Sequence, residues 1–532
     1  MQLRKITLLA LALLAALGMQ AQHSIDNPMT RAVLKVYEQQ LQADPTDWDT
    51  WMRRANEYYT HSEYLRALND VDNALKYIPE GKKADREQAY MLRANIYLQT
   101  NRPADALADL NSALALDPDS YIATYLRANA FYELERYGEA KVDYKRLQRL
   151  NPRSVESLIG QARIAVKENN LGMANELLDQ AVSYDPNNAD YYVRRSSVRR
   201  SMGNHQGAVE DLLLALSTDS NNARATQALV DYGKTNYPAV MAGLSDVIRQ
   251  APRVAMFVYL RARIAQAHYN YVAAVADYTK IIDENLYNYH GIYAQLAECQ
   301  FALGRYDDAL FNINHAIDMD RNTASQFVLK SQILRALNCN AEALECATKA
   351  SVIKDSGVLP IVEMGLCYAA DKNYQEAANL FGEATMTAPD DPATFMLRAW
   401  MLGTHLNQPV AAQGFYNHVI DMEGFTATDV KSLRGFALLF NGRVDEATAW
   451  MENILTTVTD SDGLVNYMGA CFFCAKGDND RALACAEASL KAGYANYYDW
   501  TDNRDGRINV APLRDDLRFL NLLHRHAPIF GK

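Results

Sequence analysis

Two sets of side chains in this sequence have types and spacings that suit chemistry. Cys471 and Cys474 form a Cys-x-x-Cys pair, the spacing of redox-active thiols and of half a zinc site. Asn56, Asn95 and Asn129 recur at intervals of 39 and 34 residues, and each amide can both donate and accept a hydrogen bond. The cysteines would indicate redox or metal chemistry, whereas a row of amides would indicate binding of an extended peptide backbone.

The seven cysteines do not support a metal or redox centre. Cys471 and Cys474 fall inside a predicted helix, with no second pair at metal-ligand spacing and no neighbouring histidine. We therefore interpret them as small buried core residues. Because the number of cysteines is odd, at least one thiol is free or pairs with another molecule. Cys474 with Cys485, across one predicted turn, is the first disulfide to test.

Motifs of the common enzyme classes are absent. Gly233-Lys234-Thr235 lacks the upstream glycine of a phosphate-binding loop, and neither a Gly-x-Ser-x-Gly elbow nor a zinc-protease helix motif occurs. The ten histidines do not cluster at ligand spacing. We therefore expect no catalytic residue, no metal site and no cofactor, and we expect that the chain is not an enzyme.

The elements that position these side chains are copies of one helical hairpin. In residues 121–152 two amphipathic helices flank a turn at Glu135–Gly138, and Pro152 ends the second helix. Numbering each copy so that this proline is position 32 gives thirteen units, most of them 34 residues apart. Position 8 is always small and position 20 is alanine in all units but one, which allows close approach of two helices. The units begin at Trp48, Glu87, Tyr121, Val155, Ala189, Asn221, Ala255, His290, Ala324, Val358, Pro392, Thr428 and Gly463.

This pattern resembles the tetratricopeptide repeat. The resemblance covers residues 48–494 and implies an all-α fold, a right-handed superhelical solenoid of about thirteen helix-turn-helix repeats with helical caps. The repeats are irregular near residues 221–252 and 403–427, which are candidate bends. In the first unit the residues that match the family pattern are Trp51, Ala55, Tyr58, Tyr64, Ala67 and Pro79.

Two end segments are predicted to cap the array, because an end repeat would otherwise expose its stacking face. Residues 22–47 contain one amphipathic helix, Pro28 to Ala43. Residues 495–532 resemble the closing element that often follows the last repeat in bacterial members of this family. Their helix is predicted over Pro512 to His524, with four leucines pointing inward: Leu513, Leu517, Leu520 and Leu523.

Charged residues recur in step with the repeat. Arginine at position 7 and aspartate at position 23 occur together in five units, whereas the unit from Val155 has Gln161 and Leu177 at these positions. We predict an ion pair within or between hairpins, which positions helices and contributes about 0–1 kcal/mol where exposed. The pairs are Arg54 with Asp70, Arg93 with Asp109, Arg127 with Asp143, Arg195 with Asp211, and Arg261 with Asp277.

The family resemblance also implies that the first helix of each unit lines a concave groove. Positions 2, 5, 9 and 12 share one helix face turned away from the hairpin core. The asparagines there either bind a peptide backbone or only solvate a wide groove, and the tyrosines and methionines beside them would supply apolar pockets. The lysine at position 5 with which some relatives hold a peptide carboxylate is absent, so that specific activity is not expected. The candidate partner-binding residues are Asp49, Met52, Asn56, Tyr59, Gln88, Met91, Asn95, Tyr125, Asn129, Tyr132 and Arg163.

The same face becomes apolar in the C-terminal half of the chain. Position 9 reads Leu366, Trp400, Phe436 and Cys471 in four successive units. Trp400 and Phe436 are either a second binding site or part of the core, and the core is the favoured interpretation.

The N-terminus indicates export. Arg4 and Lys5 precede an apolar run from Ile6 to Leu17, and a small residue, Ala21, follows. This is the pattern of a secretory signal peptide over residues 1–21, and no cysteine lies near the expected cleavage site to carry a lipid anchor. Cleavage lowers the formal charge from −11 to −13, which argues against nucleic acid as a ligand. No other apolar run is long enough to span a membrane.

The sequence therefore predicts a periplasmic or otherwise exported, non-catalytic scaffold. Its partner would be a protein or peptide bound in the concave groove. The alternative is a carbohydrate-binding or cell-wall accessory protein, in which Tyr125, Tyr132 and Trp400 stack on sugars.

Overall fold

The computed structural model describes residues 27–287, 289–424, 428–503 and 505–532. The predicted signal peptide, residues 1–21, lies outside these residues, as does the end of the second irregular stretch, residues 425–427. The chain divides into two compact units, and the boundary in the sequence lies between Ala225 and Thr226. This boundary falls inside the first stretch that the sequence marks as irregular.

The first unit consists of one helix followed by five helix pairs. The leading helix, α1, covers Pro28–Ala43, and the Asn27 side chain caps its N-terminus by accepting a hydrogen bond from the Met29 amide. Successive helices contact each other, and the first helices of neighbouring pairs also touch. The pairs are α2 Trp48–Thr60 with α3 Tyr64–Tyr77, α4 Lys83–Gln99 with α5 Pro103–Leu116, α6 Tyr121–Glu133 with α7 Tyr137–Leu150, α8 Val155–Lys167 with α9 Leu171–Tyr184, and α10 Ala189–Ser201 with α11 His205–Thr218.

The second unit continues the same pattern to the end of the array. Helix α12, Ala223–Thr235, contains the boundary between the units. Together with the first unit, the described residues contain thirteen helix pairs, so the predicted all-α repeat fold is confirmed. The later helices are α13 Tyr237–Gln250, α14 Ala255–Ala267, α15 Tyr271–Asp283, α16 His290–Ala302, α17 Tyr306–Met319, α18 Ala324–Ala336, α19 Asn340–Ser351, α20 Leu359–Ala370, α21 Tyr374–Thr387, α22 Pro392–Trp400, α23 Pro409–Asp421, α24 Thr428–Phe440, α25 Val444–Thr457, α26 Leu464–Lys476, α27 Asn479–Ala492, α28 Tyr497–Thr501 and α29 Leu517–Arg525.

Small side chains at positions 8 and 20 allow the two helices of a regular hairpin to pack closely. In the hairpin of α6 and α7 these are Ala128 and Ala140, and both are fully buried. Tyr144 and Leu147 fill the space beside them. The turn between the helices depends on position 15, where Glu135 has a left-handed backbone with φ of +58°. The other pairs of the first unit also have positive φ at this position, at Ser62, Asn101, Asn169 and Gly203.

The five predicted ion pairs are present, and each joins the two helices of one hairpin. The donor and acceptor atoms lie 2.6 to 3.1 Å apart in all five. The aspartates are buried rather than exposed, so these are not ordinary surface pairs. Burial raises the pKa of the Asp211 carboxyl group, and the neighbouring Arg195 guanidinium opposes that shift.

Four of these arginines also reach back to the preceding hairpin. The remaining guanidinium nitrogen donates to the residue at position 25 of that hairpin, over 2.7 to 3.0 Å. We call this group of three side chains the arginine staple, because it ties two helices of one hairpin to the second helix of the hairpin before it. The position-25 acceptors are Asp72 for Arg93, Asn111 for Arg127, Asp179 for Arg195, and Ser245 for Arg261.

The irregular stretches differ from regular repeats in specific ways. A single residue, Asn236, separates α12 from α13. Helix α22 continues into a turn of π-helix at Met401–His405 before Pro409 begins α23. The first two units begin 39 residues apart instead of 34, with the additional residues near Gly81. They lengthen the next first helix: α4 begins at Lys83 and is about one turn longer than its neighbours.

The C-terminal residues depart from the predicted helix. The helix begins at Leu517 rather than Pro512, because the Asp516 side chain caps it there by accepting a hydrogen bond from the Arg518 amide. This register buries Phe519, whereas Leu517 and Leu520 are exposed. The predicted inward position is therefore wrong for these two leucines; Leu513 is buried and Leu523 is half-buried.

Candidate functional site

The first helices of the first unit present a continuous row of side chains at positions 2, 5, 9 and 12. We call this row the first-helix face. It runs over α2, α4, α6 and α8, whose successive members contact each other. All eleven candidate partner-binding residues, from Asp49 to Arg163, are half-buried, so none is a core residue and none stands free in solvent.

The three asparagines of the row are not equivalent. The Asn56 side chain donates to the Met52 carbonyl oxygen over 2.8 Å, which leaves its own oxygen available. The Tyr144 hydroxyl donates to Asn129 Oδ1 over 2.7 Å, which leaves the Asn129 amide hydrogens available. Asn95 forms no hydrogen bond with any side chain or backbone group that the structure describes, so both ends of its amide remain open to a ligand.

Several other candidates take part in packing as well. Asp49 forms a surface ion pair with Arg53 at 2.6 Å. Met52 and Tyr59 pack against the core of the first hairpin. Tyr125 contacts the cores of two successive hairpins. These side chains therefore shape the first-helix face, whereas Asn95 keeps both ends of its amide available.

A cavity of about 210 Å³ opens on this face between α6, α8 and α10. Tyr132 and Arg163 line it as predicted, with the Arg163 guanidinium carbon 3.9 Å from the centre of the Tyr132 ring. That distance is typical of a cation–π contact. Arg163 also donates to Glu133 over 3.0 Å. Apolar side chains, Ile159 among them, complete the wall.

Two further cations at the cavity were not predicted. Lys167 and Arg194 line it and are exposed, and neither has an ion-pair partner among the described residues. They occupy positions 13 and 6 and therefore lie outside the four positions that define the face. Ser197 at position 9 is the sequence signal for this cavity, since its small side chain leaves room in front of α10.

The Cys-x-x-Cys pair and Phe436 are parts of the core. Cys471 and Cys474 are buried in α26 as predicted, and Phe436 is a core residue. All seven cysteines are free thiols, so the Cys474–Cys485 disulfide is absent from the structure. Burial raises the pKa of Cys474 to about 12 and that of Cys485 to about 11. Trp400 is half-buried and lines a second cavity.

Within residues 27–287, 289–424, 428–503 and 505–532, no group of His, Cys, Asp and Glu side chains is arranged to hold a metal ion. Over the same ranges, none of the helices combines the length and the hydrophobicity that crossing a bilayer requires.

The chain matches family models and solved structures. Family models of the tetratricopeptide repeat match residues 91–155, 159–223 and 290–323. A search of the curated proteins finds no match. Among solved structures, yeast Tom70 aligns at 16% identity over 77% of this chain and 99% of that one, with a TM-score of 0.35.

Two shorter structures align with less of the chain. YrrB, described as a TPR protein with an unusual peptide-binding site, aligns at 20% identity over 37% of this chain and 98% of its own, with a TM-score of 0.29. PilW, described as a widely conserved type IV pilus biogenesis factor, aligns at 21% identity over 41% of this chain and 98% of its own, with a TM-score of 0.34. The chain therefore contains tetratricopeptide repeats in the matched residues, and the helix pairs around them have the same helix-turn-helix form.

Proposed function

We propose that this chain is an exported scaffold that binds an extended segment of a partner protein along the first-helix face of its first unit. The observation that carries the proposal is the cavity at Tyr132 and Arg163, with the open Asn95 amide on the same face. Both ends of that amide can bond to a peptide backbone. The cavity has the mixture of apolar wall and few polar groups that is typical of ligand sites.

The charges at the cavity favour an acidic group on the partner. The chain as a whole is acidic, with a formal charge of −11, yet Lys167 and Arg194 stand beside Arg163 without acidic partners of their own among the described residues. Such unpaired cations next to an apolar wall suit a carboxylate, and arginine can bind one through two parallel hydrogen bonds. We infer that an aspartate, a glutamate or a C-terminal carboxylate of the partner enters this cavity.

Carbohydrate stacking finds less support. The Arg163 guanidinium covers one face of the Tyr132 ring. Tyr125 and Trp400 are half-buried, and Trp400 has the His405 ring packed against it at 80°. None of these rings lies flat and exposed, which is the arrangement that a sugar platform requires.

Photo-crosslinking tests the site. A photoreactive amino acid in place of Ser197, at the cavity, is expected to capture one partner segment that contains a carboxylate. The same amino acid in place of Val142, an exposed residue on α7, is the matched control and should not capture it. Lys167→Glu together with Arg194→Glu should reduce capture at Ser197 at least tenfold. Equal capture from the Ser197 and Val142 positions would contradict the proposed site.

Export has a separate test. The basic pair Arg4-Lys5 and the apolar run after it support cleavage after Ala21. Intact mass measurement of the protein from its native cells should give a chain beginning at Gln22 in the envelope fraction. A chain that keeps residues 1–21 would refute export by this route and would leave the binding site unaffected.

A further inference from the structure

In the second unit, the first helices of the pairs present a corresponding surface, which we call the first-helix face of the second unit. A C-terminal part of the same chain covers this surface. Residues 498–503 and 505–508 follow α27 and lie on the first helices α16, α18, α22 and α24. Tyr498 packs on Phe301 of α16 with ring centres 4.6 Å apart, and Asp505 binds Arg335 of α18. Arg507 lies 4.0 Å from the ring centre of Phe440 on α24. We call residues 502, 503 and 505–508 the resident segment.

Two carboxylates of the resident segment are bound by side chains of the helix pairs. The Tyr306 hydroxyl donates to Asp502 over 2.5 Å. The Arg335 guanidinium donates to both oxygens of Asp505, over 2.5 and 2.9 Å. The two aspartates are three residues apart: Asp502 caps the C-terminus of α28, and Asp505 lies in the bend that follows.

Arg335 is held in the orientation of this contact by side chains outside the segment. Its Nε donates to Glu363 over 3.0 Å, and the Ser331 hydroxyl also donates to Glu363. Only 10% of the Arg335 side chain is exposed. A guanidinium held in this way binds a carboxylate through two parallel hydrogen bonds, which gives geometric specificity as well as strength.

The resident segment leaves room beside it. A cavity of about 180 Å³ lies between Gly506 and the side chains of Met396, Trp400 and Phe440. The wall is almost entirely apolar, and glycine contributes no side chain to fill it. A different segment with an apolar side chain at this point would gain contacts that the resident segment lacks.

The resident segment is also the part of the C-terminal residues best suited to exchange. Residues 502, 503 and 505–508 belong to no helix. Asp505 is 27% exposed and Arg507 is exposed, whereas the flanking residues Trp500 and Val510 are fully buried. Release of residues 502–508 would therefore leave the anchors on either side in place.

The geometry points to a second binding site: the first-helix face of the second unit recognises an acidic segment with aspartates three residues apart, and the chain's own resident segment occupies this face until a partner segment displaces it. Tethering gives the resident segment an effective concentration in the millimolar range. A partner therefore binds with an affinity reduced by the fraction of time that the face is open. No residue of the first unit contributes to this site. The proposed binding at the first unit can therefore be refuted without affecting the site on the second unit.

The test uses the full chain and a fluorescent peptide with the sequence of residues 496–510. The wild-type chain is expected to bind this peptide weakly. A variant with Asp502→Asn and Asp505→Asn loosens the resident segment but keeps Tyr306 and Arg335, so it should bind the peptide at least tenfold more tightly in fluorescence anisotropy. Adding Arg335→Met to that variant should remove the gain. A peptide carrying the same two asparagines is the matched control and should bind at least tenfold more weakly.

Two outcomes overturn the proposal: the loosened variant binds the peptide no better than the wild type, or the asparagine peptide binds as well as the aspartate peptide. If the loosened variant fails to fold, hydrogen exchange of the wild-type chain tests whether the resident segment leaves the face. The amides of residues 502–508 should then exchange at least tenfold faster than those of α27. Equal protection would show a permanent part of the core and would refute exchange.

Discussion

The arginine staple allows a quantitative test in the hairpin of α6 and α7. Arg127 donates to both oxygens of Asp143 over 2.8 Å and to Asn111 over 2.9 Å. Asp143 is 3% exposed and Arg127 is 20% exposed at the side chain. Arg127→Gln therefore leaves a carboxylate with little water around it. Removing one partner of a fully buried pair costs about 3–5 kcal/mol, and the partial exposure of Arg127 reduces the expected loss to about 2–4 kcal/mol.

The chain contains a natural model for the compensating change. The fourth hairpin has Gln161 and Leu177 at the two staple positions, and Gln161 is satisfied by a hydrogen bond to Ser157 over 3.0 Å. Arg127→Gln combined with Asp143→Leu reproduces that pair. Because the second substitution removes the unpaired carboxylate, the double variant should recover more than half of the stability that the single variant loses.

Native-state hydrogen exchange is the suitable assay, because a repeat protein of this length need not unfold in one step. A loss of about 2–4 kcal/mol corresponds to roughly 30- to 900-fold faster exchange of the α6 and α7 amides. The amides of α2, four helices away, should be unchanged. The interpretation is refuted if Arg127→Gln changes exchange less than threefold, or if the double variant exchanges as fast as the single one.

Four further predictions concern individual residues. Ala128→Phe should destabilise its hairpin by about 1–3 kcal/mol because the site is fully buried, as local hydrogen exchange would show. Glu135→Gly should stabilise the same hairpin by about 0.5–1 kcal/mol, since glycine adopts the positive φ of +58° without strain; an equal or lower stability in exchange would contradict this. Cys339 is the exposed cysteine and should be the first thiol alkylated at pH 8, with the buried thiols slower by mass spectrometry. Burial raises the pKa of Asp499, so its contribution to stability is present at low pH and lost as pH rises through the folded-state pKa. The advantage of wild type over Asp499→Asn in thermal unfolding should therefore shrink from acid to neutral pH, and a growing advantage would refute the sign.

The repeat pattern predicted the helix pairs well because each hairpin repeats the same local constraints. Small residues such as Ala128 and Ala140 must meet at a close helix contact, and the arginine and aspartate of each staple are 16 residues apart in the same hairpin. A comparison among thirteen copies therefore amounts to an internal alignment. The left-handed backbone at position 15 was not predicted. Ser62 and Glu135 have this conformation, and neither residue type indicates a positive φ.

The candidate site was predicted only in part. Positions on one helix face follow from 3.6-residue periodicity, so Tyr132 and Arg163 were found together. The bond from Tyr144 to Asn129 depends on where one hydroxyl reaches across a hairpin, which periodicity does not specify. Arg194 is at position 6, next to position 5 of the first-helix face. The repeat pattern does not assign position 6 to that face, so Arg194 was not predicted. The resident segment was missed because its contacts join residues 170 and 196 positions apart.

Those contacts of the resident segment also affect how the second unit folds. In a stack of repeats each hairpin touches only its neighbours, so folding spreads along the chain and the ends fray first. The pairs of Asp502 with Tyr306 and Asp505 with Arg335 instead close chain loops of 196 and 170 residues. Such closure has an entropic cost that local hairpins avoid, and long-range contacts slow folding. The second unit should therefore complete its folding in a late step that the first unit lacks, and its last hairpins should resist fraying once that loop has closed.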